Sequence, residues 1–240
     1  MVPWMVAVFY PVVIVTTAIF GTLAVLLSLV DKRIGFYSGQ FWAWCLTGSS
    51  LVRVRVRGRE NLVPGRSYVI LANHQGNYDI LALYGYLGRQ FRWVIKEELR
   101  KVPFLGWGCA AIGHIFVDRS DSRRAIASLE AAKPALAGGV SVVFFPEGTR
   151  SPDGRLQRFK KGGFRMARQL DLDIVPVAIS GSFRVLPKGS LLPRPGTIRV
   201  NILPPVSPAD HATDDALIPA VRTAIAAELG EPQPPRVTTT

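Results

Sequence analysis

Apolar and polar positions alternate along this chain in three ways. From Val2 to Val30 no charged residue occurs, and Val, Ile, Ala, Leu and Phe dominate. The run is long enough for a membrane-crossing helix, which needs about 20 apolar residues. Asp31, Lys32 and Arg33 close it. Pro11 predicts a kink and Gly21 allows a bend. A basic leading region and a small-residue cleavage site, the marks of a signal peptide, are missing. A second uncharged segment, Ile34 to Leu51, carries Phe36, Tyr37, Phe41, Trp42 and Trp44, residues of the kind that favour a membrane interface. Two arrangements follow: a transmembrane helix with an interfacial helix behind it, or a helical pair that dips into one leaflet.

The second pattern has a period of two. Val52 to Arg57 alternates valine with arginine, which predicts a half-buried strand with its arginines toward solvent or lipid headgroups. The third pattern is a series of short apolar runs bounded by turn formers. Tyr68 to Ala72, Phe91 to Ile95, Ile115 to Val117, Ser141 to Phe145, Ile174 to Ser180 and Thr197 to Leu203 are expected strands. Helical spacing covers Ile80 to Leu87, Arg123 to Leu136, Gly162 to Leu170 and Pro208 to Glu228. Ser120 or Asp121 is placed to cap the second of these, and Gly138-Gly139 to end it. Strands alternating with helices predict an α/β fold, a mixed sheet flanked by helices, behind an N-terminal apolar helical membrane anchor. The expected division is an anchor over 1–50, a catalytic domain over 51–230 and a disordered Pro- and Thr-rich tail over 231–240.

Charge narrows the partners. Lys and Arg number 29 against 17 Asp and Glu, a formal net charge of +12. Such a balance suits nucleic acid, anionic lipid headgroups or acidic substrates. The apolar N-terminus and the absence of nucleic-acid motifs argue against nucleic acid. The two cysteines, Cys45 and Cys109, have no metal-ligand spacing with another Cys or His; no metal site is expected, and a reducing compartment fits better than a disulfide.

Two short segments carry the chemistry. Asn73-His74-Gln75-Gly76-Asn77-Tyr78-Asp79 places an imidazole and a carboxylate just past an apolar run. Phe145-Pro146-Glu147-Gly148-Thr149-Arg150-Ser151 places a carboxylate and a guanidinium at the end of another. A hydroxyl is a poor nucleophile until its proton is removed, and histidine is suited to that near neutral pH. A neighbouring carboxylate holds the useful tautomer and stabilises the charged imidazole. Guanidinium groups match phosphate oxygens. Each feature alone has an ordinary explanation. A histidine at a strand end is commonly a satisfied loop residue, Asp79 before an apolar run is an ordinary N-cap, and Glu147 with Arg150 makes a plausible salt bridge in a Pro/Gly turn. Their joint occurrence favours a general base beside an anion pocket.

These residues resemble the glycerophospholipid acyltransferases, most closely the bacterial 1-acyl-sn-glycerol-3-phosphate acyltransferases. The matching blocks are Asn73, His74 and Asp79; then Lys96, Glu98, Leu99, Pro103, Gly106, Ile115, Phe116, Asp118 and Arg119; then Phe145 to Ser151; then Ile174 to Ile179 with Pro176 inside it. Phe159-Lys160-Lys161-Gly162 also looks like the family. The blocks occur in the family's order over about residues 51 to 205. One departure is Gln75-Gly76-Asn77-Tyr78, where many relatives carry a serine or threonine. The resemblance implies that His74 is the general base and Asp79 orients it. It implies that Lys96, Arg119 and Arg150 contact the acceptor's phosphate, and that Glu147, Gly148 and Thr149 shape its pocket. The implied reaction moves a fatty acyl group from acyl-CoA or acyl-carrier protein to lysophosphatidic acid, giving phosphatidic acid in phospholipid biosynthesis. No cofactor is implied. The implied surroundings are membrane phospholipids, at the cell membrane, with the catalytic domain on the cytoplasmic side. Another lysolipid acceptor, a lysophospholipid or lyso-ornithine lipid, is the nearest alternative. A non-catalytic anionic-membrane-binding protein is a more distant one. A lipid hydrolase would need a Gly-x-Ser-x-Gly elbow, which the chain lacks.

Overall fold

The computed structural model describes residues 3–118, 133–136 and 138–231. Two helices lead the chain, α1 (Pro3–Ser28) and α2 (Lys32–Ser49). There follow β1 (Val52–Arg57), β2 (Val69–Ala72), α3 (Tyr78–Tyr86), β3 (Phe91–Lys96), α4 (Leu105–Ile112), β4 (Ile115–Val117) and β5 (Ser141–Phe144). The last elements are α5 (Gly162–Leu170), β6 (Ile174–Ser180), the single turn α6 (Ser182–Val185), β7 (Gly196–Ile202) and α7 (Asp214–Leu229).

Seven strands form one mixed sheet in the order β1-β7-β6-β2-β5-β3-β4. Strands β6, β2, β5, β3 and β4 run parallel. β7 is antiparallel to β6 and carries β1 parallel beside it. The expected mixed sheet is therefore present. Side chains on a strand alternate between faces, and β2 shows what this does. Tyr68, Ile70 and Ala72 join a core with α2 and α3, while Val69 and Leu71 join a second core with α5 and α7. Burial on both faces explains why β2 reads as an unbroken apolar run. Pro176 sits inside β6 where its carbonyl turns to Leu203 N–H at 2.9 Å. The β6–β7 register runs from Val177 onward, so the missing proline N–H falls at the ladder's end and not inside it. In β1 the valines turn inward and Arg53, Arg55 and Arg57 are exposed, as the alternation predicts.

The two apolar segments form an antiparallel hairpin. Asp31 caps α2 by accepting from Arg33 N–H at 2.7 Å. The two helices differ in burial. Phe36, Ala43 and Leu46 of α2 belong to the same core as the sheet. In α1, by contrast, Ala7–Ser28 is long and apolar enough to cross a membrane, and only 6% of that stretch is buried. α1 packs on α4 where Gly21 and Gly108 meet: a Cβ at Gly108 would lie 3.2 Å from the Gly21 Cα.

Two expected helices differ in part within the described residues, and one helix was not expected. The helix from Arg123 lies outside the described residues except for its last turn, Lys133–Leu136, which is 3-10. The helix expected from Pro208 is a 3-10 turn, Pro208–Asp210, and the α-helix starts at Asp214. Pro208 cannot continue a hydrogen-bonded run, and Ser207 caps the short turn by accepting from Ala209 N–H at 3.3 Å. The third change is α4, a helix that the apolar period did not predict. Its Gly/Ala content obscures the pattern, and its burial comes from α1 lying against it.

Candidate active site

The parallel strands end together, and both motifs lie just past their carboxyl ends. That edge is where parallel α/β sheets hold their sites. Asn73 extends the end of β2 toward β6. Its amide donates to the Ile179 carbonyl at 2.9 Å, and its Oδ1 accepts from Ile179 N–H at 2.7 Å. The chain then turns, and α3 brings Asp79 back under His74. His74 Nδ1 lies 2.8 Å from Asp79 Oδ2. The same oxygen accepts from Gln75 N–H at 2.7 Å and Gly76 N–H at 2.9 Å. Asp79 thus sits in the first helical turn and reaches back to the preceding backbone, rather than capping from in front. It is fully buried. With two N–H donors already on Oδ2, the imidazole is the third donor, which places its proton on Nδ1. Nε2 then keeps its lone pair and has no partner among the described residues.

The second motif locks the first. Pro146 and Glu147 are the central residues of a turn closed by Gly148 N–H to the Phe145 carbonyl at 3.0 Å. Glu147 Oε1 accepts His74 N–H at 2.8 Å, and Ser151 N–H donates to the His74 carbonyl at 2.8 Å. Both backbone groups of His74 are therefore held by the neighbouring turn. Its ring stacks on Phe145 at 3.9 Å and 11°, and Phe145 stacks on Trp93 at 5.3 Å. Asp79 fixes one edge of the imidazole and Phe145 fixes its plane.

Glu147 is buried, and burial pushes its carboxyl up to about 7; the Asp79 charge adds to this, and hydrogen bonds from His74 and Gln157 oppose it. Its second oxygen takes Gln157 Nε2 at 2.8 Å. The salt bridge with Arg150 that would have given the pair an ordinary role is not made. Arg150 donates instead to Asn77 Oδ1 at 2.6 Å, which puts its guanidinium beside the His74–Asp79 turn. Glu147 thus joins the two motifs, and Arg150 is the charge facing outward. Gly148 adopts φ +74°, and a Cβ there would meet the Lys160 Cε and Nζ at 3.0 Å. Lys188 Nζ lies 3.5 Å from the Thr149 hydroxyl. The turn is therefore rimmed by Arg150, Lys160 and Lys188. Lys96 is exposed at the carboxyl end of β3, on the same sheet edge. Arg119 lies outside the described residues.

Sequence reasoning missed several contributors. Gln157 and Lys188 carried no signal, because their partners lie 8 and 39 positions away. Asn77, Phe145 and Lys160 stood inside the motif segments, but nothing in the sequence gave them a role. The departure at Gly76 also has a reason. A Cβ there would come 2.7 Å from the Ser182 carbonyl and 2.8 Å from that of Leu186. Asn77 N–H bonds to Leu186 O at 3.3 Å, so the turn presses directly on the backbone around α6. Among the described residues, no group of three or more His, Cys, Asp or Glu converges as metal ligands do.

Fold and site together define an α/β protein with a histidine–aspartate dyad at the carboxyl edge of a parallel sheet, beside a basic rim. Residues 53–180 match the family described as Acyltransferase, and the chain belongs to that family. It is 33% identical to a 1-acyl-sn-glycerol-3-phosphate acyltransferase of Pseudomonas aeruginosa, over 85% of this chain and 79% of that one. A protein of the same name from Chlamydomonas reinhardtii is 34% identical over 90% of this chain, and a chloroplastic one from Arabidopsis thaliana is 33% identical over 77%. These alignments span 64% and 52% of the two relatives' own lengths. The crystal structure of the 1-acyl-sn-glycerophosphate (LPA) acyltransferase PlsC from Thermotoga maritima superposes with a TM-score of 0.82 at 27% identity. That match covers 95% of this chain and 94% of the other.

Proposed function

We propose that the protein transfers a fatty acyl group from a thioester, acyl-CoA or acyl-carrier protein, to the free hydroxyl of 1-acyl-sn-glycerol-3-phosphate, giving phosphatidic acid. The observation that carries this is the His74–Asp79 dyad with Nε2 open, set beside cations that suit a phosphate. Relatives bearing that activity's name support the choice of acceptor. His74 Nε2 takes the hydroxyl proton as the oxygen attacks the thioester carbonyl. Asp79 stabilises the imidazolium that forms. The tetrahedral intermediate collapses, the C–S bond breaks, and the departing thiolate takes the proton back from Nε2. Arg150, with Lys160, Lys188 and Lys96 on the same edge, is suited to the acceptor's phosphate; Arg150 presents the planar fork. Glu147 positions His74 through its backbone, while Gly148 and Thr149 shape the rim.

The protein acts at a membrane in this reading. Val8, Val15, Ile19, Leu23, Leu26 and Val30 leave a continuous apolar stripe exposed on the α1 side, and Phe104 and Trp107 of the neighbouring α4 region are exposed beside it. Lys32 and Arg33, directly after α1, favour the cytoplasmic side for the catalytic part.

The test is an acyl-transfer assay on detergent-purified protein, with lysophosphatidic acid and palmitoyl- or oleoyl-CoA, beside His74→Ala. The wild type should form phosphatidic acid, and the variant should lose about 10²–10⁴-fold in turnover with unfolding unchanged. Turnover by the variant at the wild-type level would overturn the mechanism. Product from another lysolipid alone would move the acceptor and leave the base in place.

A further inference from the structure

A cavity of about 420 Å³ lies at the opposite edge of the sheet from His74. Gln90 and Val140, which immediately precede β3 and β5, line it, so it sits at the amino ends of the parallel strands. Arg33, Arg59 and Arg89 line it too, and no acidic residue does. Three guanidinium groups converge there without a counter-charge among the described lining residues.

The three arginines differ in what they have left to give. Arg89 forms the wall: its Nη2 donates to the Val63 carbonyl at 2.8 Å and to the Arg66 carbonyl, and its Nε donates to Gly139 O at 3.4 Å. Arg59 commits only Nη2, to Tyr86 O at 2.6 Å. The Arg33 side chain has no hydrogen-bond partner among the described residues. Two glycines make room for these groups. A Cβ at Gly138 would lie 2.5 Å from Arg33 Nη2, and one at Gly88 would lie 3.3 Å from Arg59 Nε.

The surroundings indicate the ligand's source. Tyr37 lines the cavity and is one of an exposed row on α2: Ile34, Tyr37, Phe41 and Trp44, each 40–52% exposed. A row of aromatic and aliphatic side chains beside open guanidinium groups is the chemistry of a bilayer surface, with rings at headgroup depth and cations at phosphate depth. We propose that this cavity binds the phosphate of an anionic phospholipid headgroup, at a site separate from the acyl-transfer centre. Arg33 and Arg59 supply the free donors, Arg89 holds the wall, and Tyr37 borders the acyl chains. The site stands independently of the acyl-transfer chemistry, since it shares no residue with the His74–Asp79 centre or its basic rim.

The experiment is a 31P NMR titration of the detergent-purified full chain. The probes are dihexanoyl phosphatidylglycerol, dihexanoyl phosphatidylcholine and inorganic phosphate. Wild type should bind phosphatidylglycerol in preference to the other two. Arg33→Gln/Arg59→Gln should weaken that binding roughly thirtyfold, from two lost headgroup contacts of about 1 kcal/mol each. Arg53→Gln/Arg55→Gln, on the exposed face of β1, should leave it unchanged. Arg33→Gln alone breaks no described bond and should cost roughly fivefold, so the test remains decisive if the double variant unfolds. Equal binding by wild type and Arg33→Gln, or an equal loss in the β1 variant, would overturn the site. Tighter binding of inorganic phosphate than of phosphatidylglycerol would overturn the lipid as its source. Acyl transfer in neutral micelles should persist in both cavity variants.

Discussion

Asp79 Oδ2 accepts three hydrogen bonds, from the imidazole and from two backbone N–H groups, so one carboxylate sets both the tautomer of His74 and the shape of the turn that carries it. Asp79→Asn keeps the volume but removes the charge that stabilises the imidazolium. Turnover should fall about 10²-fold or more, with KM for the acceptor nearly unchanged, measured by steady-state acyl transfer. Glu147 makes a different prediction. Its carboxyl titrates near 7 in the fold against 4.5 when free, so the folded state binds the proton more tightly than the unfolded one. The stability this gives is complete below about 4.5 and is lost as pH rises through about 7. Glu147→Gln keeps the volume and the acceptor for His74 N–H without the titration, and leaves one fewer acceptor for Gln157. Thermal unfolding from pH 5 to 8 should show wild type losing stability relative to the variant; parallel curves would contradict the assignment. His114 lies on the other side of the ledger, buried against Tyr84 and pushed down to about 3 by burial and by Arg92. It therefore remains neutral in the fold, and its contribution is lost as pH falls below about 6.5.

At the scale of elements, the site depends on contacts between segments that are far apart in sequence. The His74–Asp79 turn touches the backbone of α6 and the residues after it through Gly76. Gly76→Ala should shift that turn and reduce turnover by about 10²-fold, with a lower unfolding temperature in the same preparation. Unchanged kinetics would show that the turn tolerates the extra methyl group. α5 and α7 are joined at the surface by Lys161–Asp215 and Arg168–Asp214, both at 2.8 Å. The first is exposed and contributes little, because water screens such pairs. The packing of Leu217, Val221 and Ile225 on β6 gives α7 its place, and those positions are fully buried.

At the scale of the molecule, one half of the hairpin is built into the core and the other is left bare; in the proposed reading α1 enters the membrane and the exposed row of α2 lies at its surface. Replacing Val15, Ile19 and Leu23 with serine should shift the protein from vesicle pellet to supernatant in a sedimentation assay, because each exposed side chain gives up about 1–3 kcal/mol of apolar burial in lipid. Activity on a soluble short-chain acceptor should persist. Retention of all protein on vesicles would place the membrane contact elsewhere. Much of this architecture was legible in the sequence. Strand runs such as Ile174 to Ser180 are apolar throughout because both faces are covered, and the alternation in Val52 to Arg57 marks a strand with one open face. The His74–Asp79 pairing was legible because both groups lie within one seven-residue segment whose local turn brings them together. The tertiary structure decided what local pattern cannot encode. It turned Glu147 inward onto the His74 backbone, gave Arg150 to Asn77, set Lys188 beside Thr149, and required glycine at position 76 because another backbone passes there. Short-range periodicity reports burial and turn geometry, whereas pairing between distant segments is fixed only when the sheet order places their ends at one edge.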